Sequence, residues 1–416
     1  MRIKKYFKKF TVLALFLFQI AAVSFAQTTI QSAPREEKLL NGLKLLVWSN
    51  PKAEKTSVKL RIHSGAAFDP LAKEGVMALL GDILFPNESV KEYFADDLGG
   101  SLEITSNYDY IQIEASGDND KILEILEAIA QAVTKPQIDK ETTAKVKAAR
   151  LEKVAYFEKN PSYIADRAVA NRLFGNYPYG RAQSGTSESV SKIDFADILL
   201  AKQKFLTADN ATLAISGNVR YDLIFRAARR YFGGWQKADK KVPATFTQPD
   251  APVEKPLEIT NPSIESNEVW IAKKGVARKD KDFYASRILF RIMTNRTENP
   301  PADSIKSESY LLNGIFIMSI KPDSTKILTE QGDKYQWKFE FTEAEFEKAK
   351  AEVIAELNQK NLSDFWLDVE TYKLTSVKDE IQTVNNVTLE AVQRISDKLI
   401  KEPKAMIIIS KTVKTN

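Results

Sequence analysis

The chain of 416 residues contains no cysteine and a single histidine, His63. Without cysteine there is no disulfide, no thiol nucleophile and no lipid-modified cysteine, so the fold must be held by its core. One histidine cannot supply two imidazoles to one metal within a single chain, and a serine-based triad would have only His63 to draw on. No glycines are spaced Gly-x-Gly-x-x-Gly, no Gly-x-x-x-x-Gly-Lys occurs, and there is no Gly-x-Ser-x-Gly elbow, so dinucleotide, phosphate-loop and serine-elbow chemistry lack support. Beyond residue 26 no stretch reaches the ~20 apolar residues of a membrane span. Carboxylates are plentiful, so the sequence alone leaves a glycosidase-like acid pair open.

What is present begins with an export signal. Arg2, Lys4, Lys5, Lys8 and Lys9 precede an apolar run over 10–25, and Ser24-Phe25-Ala26 offers the small residues of a cleavage site after Ala26. Residues 1–26 therefore read as a signal peptide, with an uncleaved anchor as the alternative. The formal net charge is +5, and the five bases of that segment account for all of it. The remainder is neutral and has no global pull on nucleic acid or anionic lipid. The expected location is exported, periplasmic or secreted, with no membrane span after signal removal.

Hydrophobic periodicity organises the rest. Strands are expected at 42–47 and 57–62, and a buried helix at 72–85. A hairpin is expected over 102–116, with Leu102 and Ile104 on one face of its first strand and Ile111, Ile113 and Ala115 on one face of its second. Helices follow at 119–134 and 139–173, broken at Pro161, then a strand at 212–216 and a helix at 221–232, whose end at Tyr231, Phe232 and Trp235 reads as core. Residues 237–263, with Pro243, Pro249, Pro252, Pro256 and Pro262, have the composition of a linker. Beyond it come a strand near 268–272, a helix at 281–294, strands at 314–320 and 336–341, and a long helix opening on the capping box Thr342 and Glu345. A helix at 388–400 and a strand at 405–410 close the chain. The basic cluster Lys273, Lys274, Arg278, Lys279 and Lys281 reads as a solvated loop, and His63 as a solvent-facing or edge residue.

The chain also repeats. A shift of 194 residues lays 194–217 on 388–411 without a gap, placing Leu213 on Ile407 and Ile215 on Ile409. The expected division is 1–26 signal peptide, 39–236 first half, 237–263 linker and 264–416 second half.

The order of several short motifs resembles the insulinase-like zinc peptidases, the family of pitrilysin and the mitochondrial processing peptidases. Asn41-Gly42-Leu43, Gly65, Asp69-Pro70, Gly75, Leu98-Gly99-Gly100, Thr105-Ser106, Tyr177-Pro178-Tyr179-Gly180 with Gly185, and Ile215-Ser216-Gly217-Asn218-Val219 follow the family's landmarks. The resemblance implies an α+β fold of two homologous halves, each a mainly antiparallel sheet with helices packed on one face. It also locates the family's His-x-x-Glu-His motif. Residues i and i+4 share a helix face, so two imidazoles converge on Zn²⁺ while the glutamate serves as base. Here the first histidine's place is Ala78, the glutamate's Gly81 and the second histidine's Asp82, and the third ligand's glutamate is Lys153. The resemblance therefore implies an inactive homologue with no catalytic residue, no metal ligand and no cofactor, in which an ion pair between Asp82 and Lys153 could replace the metal's bridge. Of the family's substrate-gripping arginine and tyrosine, only Tyr310 has a candidate here, since Asp303 stands seven residues before it. The implied role is the non-catalytic subunit of an exported heterodimeric zinc peptidase, paired with a zinc-bearing homologous subunit and contributing to peptide binding. A stand-alone scaffold or peptide-binding protein on the same fold is the alternative.

Overall fold

The computed structural model describes residues 33–240, 242–296, 302–321 and 340–411. The expected signal peptide and most of the expected strand at 336–341 lie outside these residues. The first half runs β1 (Arg35–Lys38), β2 (Lys44–Ser49), β3 (Lys55–Ile62), α1 (Val76–Asp82), α2 (Ser89–Asp96), β4 (Ser101–Ser106), β5 (Ile111–Asp118), α3 (Ile122–Thr134), α4 (Lys140–Phe157), α5 (Pro161–Phe174), α6 (Ser187–Ser191), α7 (Phe195–Phe205), β6 (Ala211–Gly217) and α8 (Tyr221–Phe232). The second begins inside the 237–263 stretch expected as a linker and runs β7 (Leu257–Thr260), β8 (Glu268–Gly275), α9 (Phe283–Asn295), β9 (Ser304–Ser309), β10 (Gly314–Ile320), α10 (Glu343–Gln359), α11 (Leu362–Tyr372), α12 (Val377–Asn385), α13 (Leu389–Lys401) and β11 (Lys404–Ser410).

Local chemistry places the boundaries. The helix expected over 139–173 is two helices. Asp139 caps the first by accepting from the Thr142 amide, and Asn160 caps the second ahead of Pro161 at its first position, where a missing amide costs nothing. The helix expected at 72–85 begins only at Val76, because Gly75 ahead of it has φ 104°, a conformation that suits glycine. The hairpin forms as expected, with Leu102 opposite Ala115 and Ile104 opposite Ile113. Its turn is tied by the Asn107 side chain, which accepts from the amides of Asp109 and Tyr110. The capping box at Thr342 and Glu345 is present, and Phe232 and Trp235 are buried in the first core.

The first sheet has the order β1-β2-β6-β3-β5-β4 and the second β7-β11-β8-β10-β9. Apart from β1 the two match strand for strand: β2 and β6 are parallel, as are β7 and β11, and every other neighbouring pair is antiparallel. The ungapped shift holds for the helices, where Ile198, Ala201 and Phe205 of α7 and Val392, Ile395 and Leu399 of α13 face equivalent cores. It fails in the strand. Leu213 and Ile215 face the helices of their own half, whereas Ile407 and Ile409 point to the opposite face of their sheet, and Met406 and Ile408 take the helix side. A one-residue slip inverts every side chain of a strand, so β6 and β11 are related by a shift one residue shorter.

Each half covers one face of its sheet with its own helices, and each lends a helix to the other's open face. From the first half, α5 sets Ala165, Val169 and Leu173 against Trp270, Ala272, Ile407 and Ile409 of the second sheet. From the second half, α11 lies on the first sheet, where its apolar contact is small: Leu367 against Leu46, Trp48 and Ala214. The rest of that contact is ionic. Lys59 and Arg61 project from β3 away from their own helices and are only 3% and 2% exposed. Lys59 Nζ lies 2.8 Å from Asp364, and Arg61 Nη1 lies 2.7 Å from Asp368, both carboxylates being on α11.

His63 follows β3, an interior strand, and is half-buried rather than solvent-facing. Its Nε2 is 2.9 Å from Thr212 Oγ1 and its Nδ1 3.1 Å from Thr371 Oγ1 on α11. Thr371 donates its hydroxyl proton to the Leu367 carbonyl, which assigns the imidazole proton to Nδ1. The basic cluster is likewise not a uniformly solvated loop. Lys279 and Lys281 are exposed, but Lys273 and Arg278 are buried, with Lys273 on the carbonyls of Leu399 and Ile400 and Arg278 on Glu380 at 2.6 Å. Periodicity misses this because a long basic side chain inside a strand can reach a buried acceptor. Among the described residues, no helix is long and apolar enough to cross a membrane.

Candidate functional site

Helix α1 lies on the helix side of the first sheet with Val76, Met77, Leu79 and Leu80 in the core. Its start is held by Asp69, whose carboxylate accepts from the amides of Gly75 at 2.7 Å and Met77 at 2.8 Å, serving donors that a helix N-terminus leaves open. The Ala78 carbonyl and the Asp82 carboxylate, one turn apart, both meet α4. Gly81 faces the sheet, and a Cβ there would meet Ile111 at 3.5 Å and Ile104 at 3.6 Å, which is ordinary contact. Close packing therefore does not demand the glycine.

The side chain that meets Asp82 is not Lys153. It is Arg150, one turn earlier on α4. Its Nε donates to Asp82 Oδ2 at 2.7 Å, and its Nη2 closes on the same oxygen and also reaches the Ala78 carbonyl at 3.3 Å. The helix turns by 3.6 residues, so positions three apart share a flank, and the more buried one makes the contact. Arg150 is 5% exposed, whereas Lys153 is exposed to solvent. Burial pushes the Asp82 carboxyl above its ordinary range, and Arg150 pulls it back. Lys153 acts on Asp82 only through its field.

This donor set does not fit a dication. The two helix positions to which the resemblance assigns imidazoles present a methyl group and a carboxylate already bound by a guanidinium, and the position it assigns to the third ligand carries an ammonium, which repels a metal ion. Among the described residues no group of three His, Cys, Asp or Glu side chains converges to hold a metal. No metal-dependent step is derived for this chain.

Tyr310 lies just past β9, where the second half meets the first. Its ring packs on Tyr179 at 4.6 Å and Tyr108 at 5.0 Å between centroids, and its hydroxyl donates to Glu308. Tyr108 donates to the Arg181 carbonyl at 2.7 Å, and Tyr179 to Asp109 at 3.0 Å. Asp109 also accepts from the Leu311 amide at 3.1 Å, which ties the 107–110 turn of the first half to the second. Burial drives all three phenols above their usual range and Asp109 up to about 7. These rings line a cavity of about 270 Å³ shared by both halves, rimmed by Asp166 and Arg167 of α5 and by Lys306 and Glu308 of β9. Lys306 closes the rim, 3.0 Å from Asp166 and 3.3 Å from Glu308. A cavity of that size is too small for a drug-sized ligand and large enough for a side chain or a short stretch of peptide. Asp303 is no part of it: it bonds to Ser319 and Lys321 at the far end of β9. Sequence reading selects Tyr310 but misses Tyr108, Tyr179 and Arg150, since periodicity says nothing about which rings meet across two halves.

Two sheets of matching topology, each sealed by the other's helix, with a site position on the first long helix, define a two-half peptidase-like chain. Comparison agrees. The family described as Insulinase (Peptidase family M16) matches residues 44–187, and that described as Peptidase M16 inactive domain matches 192–354. The chain belongs to the insulinase-like peptidase family, as a member without the zinc-binding motif. A relative from Rickettsia felis named as an uncharacterized zinc protease is 26% identical over 54% of this chain and 56% of its own length. The yeast cytochrome b-c1 complex subunit 1 is 26% identical over 47% of this chain and 43% of its own length. The chain thus spans about half the length of the curated relatives it matches. Among solved structures, a peptidase M16 inactive domain from Pseudomonas fluorescens has TM-score 0.76 at 20% identity, covering 92% of this chain and 99% of that one. A protease from Helicobacter pylori has TM-score 0.78 at 15% identity, covering 91% and 100%.

Proposed function

We propose that the protein is the non-catalytic subunit of an exported, two-subunit zinc peptidase, closing the chamber of a zinc-bearing homologous partner and contributing to peptide binding. One observation carries the reading: a tyrosine-lined cavity stands between the halves, while the place that the resemblance gives to the metal holds an arginine–aspartate pair. A chain that had lost every use of its cleft would have no reason to keep Tyr310, Tyr179 and Tyr108 packed around a cavity instead of filling it. A relative named as a subunit of the cytochrome b-c1 complex supports the idea that members of this family serve inside larger assemblies. The basic and apolar segment at 1–26 supports export.

A second reading, a stand-alone scaffold or peptide-binding protein, has its own support. α5 and α11 already seal both open sheet faces, so the chain needs no partner to bury its apolar surface. Affinity capture of the full chain from its own cells separates the two. The first reading expects a co-purifying homologue bearing His-x-x-Glu-His and a mature N-terminus at Gln27 in the exported fraction. A stable lone monomer or homodimer, or a chain retained in the cytoplasm, sinks it. Peptide binding is tested separately with Y310A on the full chain, which should weaken capture of labelled peptides by about tenfold or more, the usual weight of a buried aromatic anchor.

A further inference from the structure

We propose that Arg150 is an internal substitute for the metal. Its guanidinium occupies the seat of the dication, carries over the bridge between α1 and α4, and shuts the site to zinc. This goes beyond the proposed function and holds whether or not a partner exists. The guanidinium bonds both to the Ala78 carbonyl and to the Asp82 carboxylate, and those are the two residues to which the resemblance assigns the family's imidazoles. It therefore lies over the helix face on which a metal would be held. An arginine cannot shed its charge, so at 5% exposure it must keep an anionic partner, and Asp82 is the one in reach. The pair thus constrains both residues: α1 keeps an acid at the second histidine's place because α4 presents a cation.

The substitution has a consequence for metal binding. Restoring the missing groups should not restore the site, because the guanidinium would remain beside the ion. The test compares A78H/G81E/D82H/K153E with the same chain carrying R150V in addition, each exposed to zinc alone, freed of excess and assayed for bound metal. The five-fold variant is expected to hold about one zinc per chain and the four-fold variant less than about a tenth of that. Equal zinc contents, whether both chains load or both stay empty, overturn the proposal.

A second arm needs neither metal nor a restored site, and so survives any failure of those variants to fold. R150Q and D82N should each lower the melting temperature, and D82N/R150Q should fall by clearly less than the two shifts combined, the signature of residues that act on one another. Additive shifts would mean that the pair bridges nothing. R150K keeps the charge without the planar fork and should fall between the wild-type chain and R150Q.

Discussion

Gly81, which the resemblance sets at the place of the family's glutamate, lies inside a helix, where glycine costs about 1 kcal/mol relative to alanine. Its φ is not in the left-handed region, and the space beside it accepts a Cβ at 3.5 Å. G81A is therefore expected to stabilise the protein by up to about 1 kcal/mol, read as a raised urea midpoint with unchanged slope. A loss of stability would mean that the helix needs the glycine for a reason the contacts do not contain. The resemblance to the family assigns Ala78, Gly81, Asp82 and Lys153 to its metal-binding positions, and for Ala78 and Asp82 the i, i+4 spacing puts both on one helix face. The partner of Asp82 was not legible in the sequence. Lys153 and Arg150 sit one turn apart on α4, and which of them turns inward depends on how α4 lies against α1.

At the scale of elements, helix ends and strand faces show where a residue's chemistry serves its segment. Lys273 of β8 donates to the last carbonyls of α13, at 2.6 Å from Leu399 and 2.9 Å from Ile400. That is the negative end of the helix dipole and a set of acceptors the helix cannot satisfy itself. Burial, reinforced by the nearby Lys404, pushes the Lys273 amine down to about 8. The folded value lies below the unfolded one near 10.5, so from pH 8 to 10.5 the unfolded chain binds the proton more tightly. Stability from this group is thus present at high pH and lost as pH falls through about 8. The difference in stability between the wild-type chain and K273M should move in favour of wild type as pH rises from 8 to 10.5 and stay level below 8, measured by urea unfolding at each pH. A flat difference across that window would show that the amine keeps its ordinary value.

Across the whole molecule, the two helices exchanged between the halves make unlike contacts. The α5 contact is apolar, while the α11 contact sets buried Lys59 and Arg61 against Asp364 and Asp368. Removing one partner of a buried pair leaves an uncompensated charge at a cost of about 3–5 kcal/mol, whereas an exposed pair contributes about 0–1 kcal/mol. D368N should accordingly destabilise the chain by about 3 kcal/mol or more, and K306M, which removes the half-exposed pair with Asp166, by less than about 1 kcal/mol. Urea unfolding of the two variants side by side checks this; comparable losses would mean that the α11 contact is hydrated.

The sequence by itself determined the two-half plan, the fold class, the break at Pro161, the cap at Thr342, and the lack of imidazole and thiol ligands, because periodicity, capping chemistry and composition are local or additive properties. It did not determine the strand register of the repeat, where a single residue between α13 and β11 reverses the face of Ile407. Nor did it reveal the pairing of Arg150 with Asp82, the burial of Lys273 and Arg278, or the meeting of Tyr108, Tyr179 and Tyr310. Each of those depends on groups far apart in the chain being brought within contact distance, and only tertiary packing decides which side chains share the space that results.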